Sequence, residues 1–72
     1  MRVLLWGTII ATNGNQAKIQ GFKEDYYFTQ KSNQNFQEGE RVRYWLNCDT
    51  NQVEDVYLTQ RGDEYFLIGD PI

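Results

Sequence analysis

The chain has 72 residues with 7 basic and 10 acidic side chains, a net charge of −3 and a pI near 4.7, so a basic field of the kind that holds duplex DNA is excluded. One cysteine and no histidine exclude an intramolecular disulfide and argue against a metal site of the Cys/His type. The length suits a single thin-cored domain, since so short a chain buries only about 60% of its extended surface; aromatics at 15% of residues supply large buried area per side chain.

The first apolar run, Val3-Leu4-Leu5-Trp6, stops at Gly7, too soon for a secretory core, and no stretch approaches the ~20 apolar residues of a membrane helix. The expectation is a cytoplasmic soluble protein with no membrane partner. Cys48 reads as a small, half-buried strand-end residue rather than a reactive thiol.

Val3 to Ala11 is rich in β-branched and aliphatic residues and reads as a long strand, with Gly7 marking a bend or bulge. Trp6 on this strand is assigned to core or rim packing. Asn13-Gly14 predicts a type I′ hairpin turn into a second strand, Gln16 to Phe22. Gly21, Lys23 and Glu24 mark the next turn.

The third strand, Asp25 to Gln30, carries three consecutive aromatics. Strand side chains alternate between faces, so Tyr26 and Phe28 face the core, while Tyr27, Thr29 and Lys31 face out. Tyr27 is either a stacking platform or one half of a cross-strand pair.

Residues 31–39 are polar except Phe36 and carry no helical stripe. They read as a loop with at most one helical turn, anchored to the core by Phe36. In Glu40 to Cys48, Val42, Tyr44 and Leu46 face inward; Arg41, Arg43, Trp45 and Asn47 face outward. Trp45 with Arg43 and Arg41 is either an exposed interaction face or a patch covered by the chain end from Tyr65 to Ile68. After turn chemistry at Asp49-Thr50-Asn51, a fifth strand runs from Gln52 to Leu58. Tyr65 to Ile68 is either a sixth short strand or a packed tail.

No segment of ten residues holds a helical period, and five or six short strands separated by turns predict a small all-β barrel or sandwich. The carboxylates stand at turns and strand edges with no nucleophile or base beside them, so no catalytic residue is assigned and no cofactor is expected.

Four stretches occur in the order and approximate spacing of one known family. They are Gly7-Thr8-Ile9 followed by Asn13; Glu24 to Phe28; Phe36-Gln37-Glu38-Gly39-Glu40-Arg41-Val42; and Gln52-Val53-Glu54-Asp55-Val56. Residues 5–58 resemble the cold-shock domain. The resemblance implies a five-stranded OB-fold barrel over residues 1–58, with residues 59–72 as a short extra C-terminal segment packed on the barrel. It also implies binding of single-stranded RNA or DNA on strands two and three by base stacking. Tyr27 falls where the family keeps a stacking Phe, and Thr29 where it keeps His. Gln16 and Lys18 take two further stacking positions, and Ala11 takes the place of a Trp. The expected function is non-catalytic single-strand binding of modest affinity, RNA before DNA. Its site would be Tyr27, Thr29 and Gln16, with Lys18, Lys23 and Lys31 for phosphate. The alternative is an OB-fold module that has lost nucleic-acid binding and uses Trp45, Arg43 and Arg41 to meet a protein partner or a second copy.

Overall fold

A computed structural model describes residues 1–66. They form six strands: β1 (Arg2–Asn13), β2 (Gln16–Gln20), β3 (Asp25–Thr29), β4 (Arg41–Asn47), β5 (Gln52–Arg61) and β6 (Glu64–Tyr65). All lie in one antiparallel sheet of order β3-β2-β1-β4-β5-β6, with no helix among the described residues.

β1 organises the sheet because it is long enough to serve two partners. Arg2 to Thr8 pair with β4, and Thr8 to Asn13 pair with β2, with a register shift between Ile9 and Ala11. The strand must therefore curl as it changes partner, and Gly7 stands just before that point. A Cβ at Gly7 would run into Ile19 Cγ2 and lie 3.0 Å from Tyr44 Cε1, so only glycine lets β1 approach both strands.

The β1–β2 turn differs from the type I′ expectation. Asn13 pairs with Gln16, so the central residues are Gly14 and Asn15, and of these only Gly14 has positive φ, at 64°. That is the requirement of a type II′ turn. Asn51, with φ 59°, closes the β4–β5 hairpin, where the Asn47 side-chain oxygen accepts the Asp49 N–H at 2.9 Å.

The core follows the alternation read from β3 and β4. Val42 and Tyr44 are fully buried and Leu46 nearly so, facing Ile9, Ala17, Ile19, Phe28, Phe36 and Val56. Phe36 anchors the loop after β3 by packing edge-on to Phe28, with ring centres 5.8 Å apart, and its N–H donates to Gln30 Oε1 at 2.7 Å. At the end of this loop the Ile9 N–H donates to the Glu40 carbonyl and the Gly39 N–H to the Ile9 carbonyl. The buried Glu40 carboxylate accepts from the Gln37 N–H and from the Arg61 guanidinium. Burial, and next the neighbouring Tyr26, push the Tyr44 phenol above its ordinary pKa; its hydroxyl has no hydrogen-bond partner. Burial also raises Tyr26, with smaller contributions from Glu24 and Cys48.

Several strand limits differ from expectation. β2 ends at Gln20, leaving Phe22 89% exposed; β4 ends at Asn47, leaving Cys48 exposed in the turn rather than half-buried at a strand end; β5 continues past Leu58 to Arg61; and among the described residues β6 is Glu64 and Tyr65. The expected barrel closure is absent from the hydrogen-bonded ladder. β3 lies against β5 without pairing to it, and a cleft separates their facing edges.

Candidate nucleic-acid interface

The outward residues of β2 and β3 meet rung by rung. Lys18 pairs with Tyr27 and Gln16 with Thr29, while Ala11 of β1 stands opposite Lys18 on its other side. Tyr27 is 67% exposed, and the Lys18 ammonium lies 5.3 Å from its ring centre, within cation–π range. Lys18 also reaches Asp25 Oδ2 at 3.7 Å. Tyr27 is the single ring among these paired positions, because its strand-two and strand-one neighbours are Lys18, Gln16 and Ala11.

A cleft of about 370 Å³ runs between β3 and β5, with Gln16, Tyr27, Thr29 and Lys31 on one side and Gln52 and Glu54 on the other. Four of the six sequence-predicted binding residues thus line one cleft, with Lys18 beside Tyr27. Lys23 stands apart in the β2–β3 turn, exposed and without an ion-pair partner among the described residues. Lys31 is held 3.3 Å from Asp55 Oδ1. Such exposed pairs contribute little, and a phosphate can replace the carboxylate at the ammonium.

The outer face of β1, β4 and β5 has a different character. Trp6 pairs with Arg43 and Leu4 with Trp45; Arg43 faces Tyr57 and Trp45 faces Asp55 across the next ladder. The Arg43 guanidinium stacks 4.4 Å from the Trp6 ring centre, and its Nε is buried with no acceptor. Trp45 is half-buried under Arg2, whose guanidinium lies 4.6 Å from its ring centre and is held by Glu54 at 2.8 Å and Asp55 at 3.3 Å. Arg2 therefore covers Trp45. Tyr65 pairs with Gln60 at the far end of β5 and is 78% exposed, while Leu67 and Ile68 lie outside the described residues.

No family model matches the sequence, and neither a curated protein nor a solved structure matches it. The site is therefore read from its own geometry.

The sequence reading missed Trp6, Phe22 and Tyr57, which are all exposed. Trp6, expected in the core or at its rim, is 60% exposed on the outer face. A signal was available: Arg2 and Thr8 share its alternation and mark that side of β1 as outward. Among the described residues no group of three His, Cys, Asp or Glu side chains is placed to hold a metal, and no helix is long and apolar enough to cross a membrane.

Proposed function

We propose that this chain is a non-catalytic, cytoplasmic binder of single-stranded nucleic acid, RNA in preference to DNA, on a cold-shock-type OB arrangement. The observation that carries the reading is the exposed Tyr27 ring, flanked by Lys18 and standing at the mouth of the β3–β5 cleft. A base stacks on Tyr27, Gln16 and Thr29 offer hydrogen bonds to its edge, and Lys18, Lys23 and Lys31 meet phosphates. One stacked base contributes about 1–3 kcal/mol, so affinity is modest and falls with salt.

Titration with oligouridylate and oligothymidylate at low salt, followed by tryptophan fluorescence, tests the reading. Salt-sensitive binding that Tyr27→Ala weakens is the expected result. Silence up to high micromolar concentration, with no salt-dependent signal, rejects it.

A second reading, a protein-interaction or self-association module on Trp45, Arg43 and Arg41, is favoured by one observation. Arg43 is sandwiched in a row between Trp6 and Tyr57, both exposed. Trp and Arg are the residue types on which protein interfaces concentrate their energy.

A further inference from the structure

We infer that Trp6, Phe22, Arg41 and Arg43 form a second nucleotide subsite, which takes one base and its phosphate from a single strand that also crosses β2. The inference rests on the chain being a single-strand binder, though not on Tyr27 being the ring that stacks.

The site exists because β2 stops early. Thr8 and Gln20 make the last rung of the β1–β2 ladder, and beyond it β1 continues with β4 while the segment after β2 turns away at Gly21. A shallow groove of about 330 Å³ opens at that parting, lined by Trp6, Thr8, Gln20, Phe22 and Arg41. Trp6 and Phe22 are 60% and 89% exposed, so two aromatic rings border the same groove in water. Exposed apolar rings that share a groove mark a binding surface more often than an isolated exposed residue does.

Charge selects the occupant. Among the described residues Arg2, Lys18, Lys31 and Arg61 each have a carboxylate partner, whereas Lys23, Arg41 and Arg43 have none, and of these three the two arginines stand at Trp6 or its groove. Asp25, opposite Gln20, is already held by Lys18, and Glu24 accepts from the Asn51 side chain. A flat, anionic, aromatic ligand suits this set, with its base against Trp6 or Phe22 and its phosphate on Arg41 or Arg43. The groove also continues the Tyr27 surface. Along β2, Lys18 to Gln20 at the edge of the groove spans about 7 Å at ~3.4 Å per residue, a gap that linked nucleotides bridge.

The test is fluorescence anisotropy of labelled oligouridylate, long enough to exceed the ~4–16 nucleotides of one OB-fold, against wild type, Trp6→Ala, Phe22→Ser, Arg41→Gln/Arg43→Gln and Tyr27→Ala. Thermal melts confirm that each variant is folded. Amide shift mapping of wild type, read at Gln20, Gly21, Phe22 and Arg41, gives a result that needs no variant. The expected result is a loss of about 5- to 150-fold in affinity for Trp6→Ala and for Phe22→Ser. The double arginine variant should show a shallower salt dependence, by about 0.7 in log–log slope per lost phosphate contact. If Tyr27→Ala weakens binding while Trp6→Ala, Phe22→Ser and the groove amides are silent, the subsite is rejected and the Tyr27 platform stands. The converse pattern keeps the subsite and rejects the platform. If wild type binds no oligonucleotide, both fall. A dimer seen by light scattering without nucleic acid, and dissolved by Trp6→Ala, also overturns the subsite, because a second copy then occupies the face.

Discussion

Tyr44 shows how one side chain can both build the core and weaken it. Its ring is fully buried and packs against Tyr26, with centres 5.9 Å apart, yet its hydroxyl has no partner. An unsatisfied buried hydroxyl costs free energy that a phenyl ring does not. Tyr44→Phe is therefore expected to be neutral or to stabilise by about 1–2 kcal/mol, measured by urea denaturation. The alkaline limb gives a second readout. Burial raises the phenol's pKa in the folded protein, so its contribution to stability is fully present below the unfolded value of about 10. It is lost as pH rises through the folded value, because only the unfolded chain gives up that proton early. Tyr44→Phe should flatten the fall in stability above about pH 10. An unchanged slope would show that another group, such as Tyr26, sets it.

Among the elements, β1 is the one whose geometry tolerates least. It meets β4 on one edge and β2 on the other, and Gly7 sits where both approach. Gly7→Ala is expected to destabilise by about 1–3 kcal/mol through overpacking, checked by the midpoint of chemical denaturation; an unshifted midpoint would mean that Ile19 and Tyr44 yield freely. The sequence made β4 plain, since Val42, Tyr44 and Leu46 alternate with Arg41, Arg43 and Asn47, interrupted only by Trp45, and the first three are indeed buried. Turn register was harder to read. Asn13-Gly14 and Gly14-Asn15 both satisfy hairpin chemistry, and only the pairing of Asn13 with Gln16 selects the second. Trp6 was hidden for a related reason: within Val3-Leu4-Leu5-Trp6 every residue is apolar, and contrast returns only at Arg2 and Thr8. The turning of the chain at Gly21, which leaves Phe22 in water, depends on where β2 stops pairing, and composition does not record that.

For the whole molecule, protection should decline from the centre of the sheet outward. β1 and β4 each have partners on both edges, whereas β3 and β6 are terminal strands of the ladder. Hydrogen exchange is expected to be slowest at Ile9, Val42 and Tyr44 and fastest in β6 and β3. Equal protection of β3 and β1 would instead mean that β3 and β5 pair in solution and the barrel closes. The outer surface is also divided: the β2–β3 half presents a lysine-flanked tyrosine, and the β1–β4–β5 half concentrates tryptophan and arginine. Sequence reasoning located the first half through its resemblance to a known strand pattern. It named Arg41, Arg43 and Trp45 of the second, but could not see Arg2 folded over Trp45 from the neighbouring strand.

The two-partner strand also sets an order of events in folding. The β1–β2, β2–β3, β4–β5 and β5–β6 pairings each join neighbours in the chain, and only β1–β4 brings together distant residues, from Arg2 with Asn47 to Thr8 with Arg41. Local hairpins form on the microsecond scale, and the entropy of closing the long loop falls on that one ladder. The rate at which the chain reaches its native state is thus governed by the seam between two quickly made halves. Contacts such as Leu5 with Tyr44 act there as the timing element of the molecule.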